Sequence, residues 1–541
     1  MGSDTSLIER LHRLNAIGIA LSAERDTSKL LERILDNARS LTHADGGTIY
    51  LQSDEDKCLN FKIMMTDSLG IHWSDALDSS THAYPCLPLY QSDGSPNDHL
   101  VATYCAIACR TINIQDVYAT DKGFDFSGTH EFDKRFGYRS RSFIAVPMAN
   151  NEGDVLGVLQ LINAQNPETG EVIPFSTDDQ QLVESLASQA AVALTNQRFI
   201  DDQRHLFESL VKMISNVIDE RSPFTAGHSK RVSALTLLLA EAAHKSGDSE
   251  THFPMEDADR YELQIAGRLH DCGKITTPDH LLDKSTKLET RFDRIKVIEL
   301  RADIIKRDMQ IDYLSRTSDI SDEETLSTLK KKYQKNLSQL DDDLRFLKRM
   351  NIGGEFLHDE AVQRIAEIGQ RQWRNHDGEF ESFLSKEEIS YLSVRKGTLT
   401  DTERKKINNH INASIFMLEG LRFPAYLKNV PEYAGGHHEH IDGSGYPNGL
   451  TGDDMSIPAR IMAIADIFEA ITAHDRPYRD PIMLSQALNI LCRMRLDNHL
   501  DGKLVDLFIK EKVYMQYAEK YLHKSQIDEV DESRLPGYNP D

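Results

Sequence analysis

The residues best suited to chemistry are five histidines and two aspartates. They are His228 in TAGHSKRV, His270 and Asp271 in RLHDCGK, His410 in KKINNHINAS, His437 and His438 in HHEHIDGSGYP, and Asp466 in RIMAIADIFEAIT. Imidazole and carboxylate together suit iron, manganese, zinc or nickel better than calcium or magnesium, which favour oxygen ligands. Taken singly, His228 and His410 read as surface or capping histidines. Asp466 is different, because it interrupts the run Ile461, Met462, Ala463, Ile464, Ala465, Ile467 and Phe468. A carboxylate in so apolar a helix is costly unless a charge or a metal pairs with it. His437-His438 beside a glycine-rich turn has equally little structural reason to be there. The set predicts a metal site, formed where helix-patterned segments converge on a bundle interior.

These residues require helices to carry them, and from Arg221 onward the pattern is almost wholly helical. Ahead of it, Ser176 to about Glu220 contains neither Pro nor Gly. Leu182, Leu186, Ala190 and Ala193 mark an apolar stripe there, and Phe207, Leu210, Ile214 and Val217 continue it in 3-4-3 steps. At that length the stripe needs covering, which predicts a connector helix in a parallel homodimer. The region 5–40 reads as two helices, the first carrying Leu7, Leu11 and Leu14. The second is capped by Asp26 ahead of Leu30, Leu31, Ile34, Leu35, Ala38 and Leu41. From Gly46 to about 165 the runs GTIYLQ, RSFIAVPMAN and DVLGVLQLIN are β-rich, the last two separated by the hairpin signal Asn151-Glu152-Gly153-Asp154. The expected architecture is multidomain: an α+β domain over 1–175, a connector helix over 176–220 and an all-α domain over 221–541.

With 541 residues the chain exceeds one hydrophobic core. A formal net charge of −24 argues against long nucleic acid and anionic membrane as partners, while a bound metal can still reverse the local field for a small anion. The absence of a run of about 18 apolar residues predicts no membrane insertion. Six cysteines without CxxC pairs, and a start lacking the layout of a secretory signal, fit a reducing cytoplasm.

The order H…HD…H…HH…D, with HDCGK and DGSGYP, resembles the HD-GYP subfamily of HD-domain phosphohydrolases. The likeness covers about 220–290 and 395–510, and the triplet Gly445-Tyr446-Pro447 is its most specific part. The resemblance implies a phosphodiesterase that hydrolyses cyclic di-GMP to linear pGpG, with GMP as the alternative final product. Another cyclic dinucleotide such as cyclic GMP-AMP is an alternative substrate, and a non-catalytic receptor or interaction scaffold is the non-enzyme alternative. It also implies a centre of two divalent transition ions, iron or manganese first, with nickel or zinc as alternatives. His228, His270, Asp271 and Asp466 would surround one ion, and Asp271, His410, His437 and His438 the other, with Asp271 as bridge. Two cations about 3.5–4 Å apart supply the nucleophile and the charge neutralisation that phosphodiester cleavage needs. Lys274, one helical turn after His270, is assigned to a phosphate oxygen, Arg476 and Arg479 to the second phosphate, and the turn Gly445, Tyr446 and Pro447 to close contact with the substrate, Tyr446 meeting a base.

Three departures from the family pattern stand out. Phe224 occupies the position where some members place a Glu that recruits a third metal, so two ions are expected. HDRPYR carries one extra residue ahead of the arginines. An insert over about 289–395, with a helical pattern through 323–350, predicts an antiparallel helical hairpin.

The front domain resembles a GAF domain, through FDKRFGYRSRSFIAVPMANNEGDVLGVLQLINAQ and FSTDDQQLVESLASQAAVAL. That resemblance implies a small regulatory ligand. Of the cyclic-nucleotide signature Asn163, Phe175 and Asp179 remain, while Ala164 and Gln180 replace the Lys and Glu. Cys105 and Cys109 are expected to be buried, inert thiols.

Overall fold

The computed structural model describes residues 14–539, except 22, 25, 54–55, 76–83, 120–122, 222–226, 355 and 474–481. It divides into two compact units between Phe207 and Glu208. The first unit has helices α1 (over 14–21), α2 (Thr27–Thr42), α3 (Val101–Ala108), α4 (Ser127–Phe136) and the start of α5 (Thr177–Glu220). Its strands are β1 (Ala44–Ser53), β2 (Cys58–Thr66), β3 (Ile71–Ser74), β4 (Leu87–Pro88), β5 (Ile112–Ile114), β6 (Phe143–Ala149), β7 (Val155–Gln165) and β8 (Val172–Ile173). They form one antiparallel sheet in the order β3-β2-β1-β7-β6-β5, with β4 on β2 and β8 on β7.

Asp26 caps α2 by accepting from the Ser28 and Lys29 amides, and the six apolar positions named for that helix are buried. They join α1, the start of α5 and one sheet face in a single core, while α3 covers a second core. The β6–β7 hairpin closes where the Asn150 amide donates to Asp154 O at 2.9 Å.

The residues of the cyclic-nucleotide signature have structural work here. Asn163, held at φ 55, accepts from the Arg141 and Ser142 amides and donates to Tyr138 Oη and Arg139 O. Asp179 accepts from the Ser176 amide and hydroxyl ahead of α5. One expectation fails in part: Cys105 is buried, but Cys109 is exposed, because it ends α3 in the left-handed conformation and turns outward.

α5 runs unbroken for 44 residues. Leu182, Leu186 and Ala190 are buried in the first unit's core. The remaining apolar row differs from the anticipated one. Val192, Phe199, Leu206, Leu210, Met213 and Val217 follow in steps of seven, seven, four, three and four, and all are exposed, Leu206 by 62%. Phe207 and Ile214 flank this row.

The second unit continues with α6 (His228–Lys245), α7 (Asp257–Leu269), α8 (Asp279–Leu282), α9 (Ile295–Thr317), α10 (Glu323–Ile352), α11 (Asp359–Gly369) and α12 (Lys386–Leu392). Then come α13 (Asp401–Asn408), α14 (His410–Glu419), α15 (Val430–Gly435), α16 (Ile457–Thr472), α17 (Leu484–Leu496), α18 (Gly502–Lys510) and α19 (Val513–Tyr521). The insert exceeds a hairpin. α9 and α10 do pair, yet α11, α12 and a two-stranded ribbon, β9 (Gln372–Arg374) with β10 (Phe380–Ser382), close a separate core around Ile298, Leu347, Ile365 and Phe383. Its two ends meet. Lys284 Nζ sits 2.8 and 2.9 Å from the Glu403 carboxylate, and Lys287 Nζ donates to Leu392 O and Val394 O at 3.1 and 2.7 Å. A long insertion whose ends are joined adds little strain to the fold that hosts it. Among the described residues no helix is long and apolar enough to cross a membrane.

Candidate metal centre

Two glycines allow the ligand-bearing segments to approach. A Cβ on Gly267 would lie 2.8 Å from Ser233 Cα, so α6 and α7 cross in close backbone contact, and the His228 and His270 rings come within 5.3 Å of each other. α7 ends at Leu269, and a 3-10 turn over Cys272–Thr276 follows. Within it Gly273 packs on α14: a Cβ there would lie 2.0 Å from His410 O and 2.4 Å from Ser414 N, and the Gly273 amide donates to Ser414 Oγ at 2.8 Å. The turn that directly follows Asp271 is thereby docked on the helix that carries His410.

The seven residues named from the sequence converge. Asp271 Oδ2 lies 3.1 Å from His270 Nε2 and 3.4 Å from His228 Nε2, and Asp271 Oδ1 lies 3.2 Å from His410 Nε2. Asp466 Oδ1 lies 3.2 Å from His228 Nε2 and 3.6 Å from His270 Nε2. Three overlapping groups have ligand atoms within 4.8 Å of one another: His228, His270 and Asp466; His270, Asp271 and His437; His410, His437 and His438.

The backbone orients the rings. His270 Nδ1 meets Gly267 O at 2.9 Å, His410 Nδ1 meets Ile407 O at 2.7 Å and His437 Nδ1 meets Ala434 O at 2.6 Å. A carbonyl only accepts, so each Nδ1 carries a proton, and each ring in its neutral form turns the Nε2 lone pair inward. His270 Nε2, His437 Nε2 and Asp271 Oδ1 are buried without a hydrogen-bond partner, and His410 Nε2 faces His438 Nε2 at 3.3 Å. Buried acceptors left unpaired and aimed at one another are costly, and divalent ions between them remove that cost. The donor set therefore fits transition metals.

Electrostatics divides the centre. Burial opposes protonation of His228 and His270, but Glu469, Asp271 and Asp466 outweigh it, raising His228 well above the usual imidazole value and His270 to about 9. Burial would raise Asp271 and Asp466, yet the facing imidazoles, joined by Lys274 at Asp271 alone, hold both well below the usual carboxylate range. On the other side burial, with neighbouring imidazoles adding to it, lowers His437 well below its usual value and His438 to about 4. Neutral imidazole is the form that binds metal.

Lys274 reaches the centre by a different route from the one expected. It lies in the 3-10 turn, past the end of α7, and its Nζ is 2.6 Å from Asp271 Oδ2. In the Gly445-Tyr446-Pro447 loop, a Cβ on Gly445 would lie 2.3 Å from His440 N, and the Tyr446 ring stacks on His438 at 4.8 Å and 26°. Pro447 follows across a cis bond. Arg476, Arg479 and Phe224 lie outside the described residues.

Sequence reasoning misses several supporting groups. Glu469, only 1% exposed, pairs with His228 Nδ1 and accepts from Arg231 Nε at 2.6 Å. A signal for it exists, since Glu469 interrupts the same apolar helix as Asp466, three residues later. Glu439 is buried and accepts from the Asn448 and Leu450 amides at 2.7 and 3.0 Å, which shapes the loop around Tyr446.

Fold and site together define a GAF domain joined to a helical HD domain. The GAF domain profile matches residues 26–194, and HD domain profiles match 225–350 and 385–504. The chain is similar to 3'3'-cGAMP-specific phosphodiesterase 1 of Vibrio cholerae serotype O1, 37% identical over 131 residues, which are 24% of this chain and 29% of that relative. It is 35% identical over 136 residues to a probable cyclic di-GMP phosphodiesterase of the same organism, 24% of this chain and 30% of the relative. Over 116 residues it is 47% identical to 3'3'-cGAMP-specific phosphodiesterase 2 of that organism, 21% of this chain and 22% of the relative. The matches thus span less than a third of these relatives' lengths. The HD profiles and these relatives together support the HD-GYP type, with a GAF domain in front of it.

Proposed function

We propose that this chain is a metal-dependent phosphodiesterase of cyclic di-GMP, with residues 221–541 as its catalytic domain, working in the cytoplasm. The observation that carries the reading is the convergence of five imidazoles and two carboxylates with buried, unpaired, inward-facing ligand atoms. His228, His270, Asp271 and Asp466 would hold one ion, and Asp271, His410, His437 and His438 a second. Iron or manganese in this donor set supplies Lewis acidity toward phosphate and a nucleophile at neutral pH. Net hydrolysis adds water across one P–O3′ bond, leaving a 5′-phosphate and a free 3′-hydroxyl in linear pGpG. Cyclic GMP-AMP is the second reading, favoured because two of the relatives above are named for it. Metal-loaded chain offered each cyclic dinucleotide separately decides between them, by the ratio of the two kcat/KM values.

Lys274 serves a phosphate oxygen in this scheme, and Tyr446 offers its ring to a base. Lys274→Ala is expected to retain its metals and lose about 1.5–3 kcal/mol of transition-state binding, roughly 10- to 150-fold in kcat/KM. Elemental analysis beside kinetics checks this, and loss of metal would make the lysine an organiser of the site.

The exposed row on α5 is assigned to a second copy of the chain. Its seven-residue repeat is that of a coiled coil, and Asn196 and Gln203 fall on the same face, where polar residues fix register in parallel pairs. Leu210→Glu with Val217→Glu is expected to shift the chain from dimer to monomer in light scattering. An unchanged mass would remove the helix as the interface. A small ligand of the GAF domain would act through this dimer.

A further inference from the structure

The C-terminal end of α5 touches both segments that deliver ligands to the centre. α6 begins at His228 behind Gly227, which has φ 74 and no side chain with which to cap the helix. Asp219, on the last turn of α5 and 5% exposed, supplies the missing acceptor. Its Oδ1 takes the Ser229 hydroxyl at 2.7 Å and the Ser229 amide at 3.4 Å. A carboxylate at the positive end of a helix is favourable, and here it fixes the residue next to a candidate ligand. Arg221, directly after α5, holds the other segment. It donates to Lys274 O at 3.3 Å, to Ile275 O, to Thr277 O at 3.2 Å, and through Nε to Asp279 Oδ1 at 3.1 Å. That turn begins one residue after Asp271.

We propose that Asp219 and Arg221 are positioning residues of the metal centre, each fixing one ligand-bearing segment, so that the end of the connector helix sets metal affinity. The inference rests on the reading of this cluster as a metal site and deepens it. His228 hangs on the first turn of α6, Lys274 lies in the 3-10 turn, and Asp271 directly precedes that turn. Both are anchored to the same short stretch of α5, so a displacement of that stretch moves both groups of ligands together. Groups that orient ligands from behind change metal affinity by about 10- to 100-fold when removed.

The test is a titration of Mn²⁺ into metal-free full-length chain, followed by calorimetry, with the thermal midpoint of the metal-free chain as control. Asp219→Ala and Arg221→Met are each expected to weaken Mn²⁺ binding by about 10-fold or more. Asp219→Asn, which keeps Oδ1 as an acceptor, is expected to recover most of the affinity. Wild-type affinity in both Asp219→Ala and Arg221→Met overturns the proposal, as does Asp219→Asn binding no better than Asp219→Ala. If Asp219→Ala unfolds, Ser229→Ala tests the same contact with a smaller change, and wild-type Mn²⁺ affinity there overturns the Asp219 half. Because Mn²⁺ is the probe, these results stand apart from the substrate. A chain that binds Mn²⁺ as described yet cleaves no cyclic dinucleotide sinks the proposed activity and leaves this inference intact.

Discussion

Asp271→Ala is expected to abolish turnover and to strip both metals from the chain. Among the described residues, Asp271 alone sets its two carboxylate oxygens against ligands from both halves of the centre. Oδ2 faces His228 and His270 at 3.4 and 3.1 Å, and Oδ1 faces His410 at 3.2 Å. Truncation leaves each half one ligand short and removes the shared negative charge that offsets two divalent ions. It also deprives Lys274 of the carboxylate 2.6 Å away, which leaves a cation at the edge of a buried site. Asp271→Asn keeps the shape and loses the charge, so it should also fail to hold two ions. Elemental analysis of the purified variants with a chromatographic assay of product measures both effects. Substantial activity in Asp271→Ala would mean that the bridge lies elsewhere.

Gly273→Ala is expected to be the most damaging single-methyl change in the second unit. The added carbon would meet the backbone of α14 at 2.0 Å from His410 O and 2.4 Å from Ser414 N, and a main-chain obstacle cannot rotate away. The turn and α14 must separate, which breaks the Gly273–Ser414 hydrogen bond and draws Asp271 away from His410. Overpacking typically costs about 1–3 kcal/mol, and an obstacle made of backbone puts this change at the upper end. The variant should therefore melt earlier than the parent and bind fewer metal equivalents. A melting temperature and metal content equal to the parent's would show that the two segments are not rigidly docked.

The centre is legible in the sequence because its cost is visible there. A carboxylate inside an apolar helix, and paired histidines beside a glycine turn, are expensive to bury unless a metal joins them. Glu469 carries the same signal as Asp466 in the same helix, but behind the first acid a second reads as part of the polar face. Asp219, Arg221 and Glu439 give no such signal. Each is an ordinary polar residue at a helix end or loop, and its partners lie at positions that only the folded chain brings near. Helical spacing carried past His270 predicts Lys274 on an α-helical turn, whereas the close approach of Gly273 to α14 ends the helix in a 3-10 turn. The apolar row of α5 differs from its expected positions for a related reason. Burial in the first unit's core takes Leu182, Leu186 and Ala190, and the row that remains exposed starts afresh at Val192. The insert's separate core is hidden in the sequence because short helices and a three-residue ribbon leave weak periodicity.

In the proposed function the cluster around Asp271 is a two-metal centre that opens a cyclic dinucleotide. The most direct measurement loads full-length chain with manganese or iron, counts the ions bound per chain, and follows cyclic di-GMP by chromatography in the same sample. Two ions per chain with linear pGpG appearing, and neither in Asp271→Ala, is the expected result. A chain that holds no metal, or that holds two ions and leaves cyclic di-GMP and cyclic GMP-AMP both intact, would contradict it.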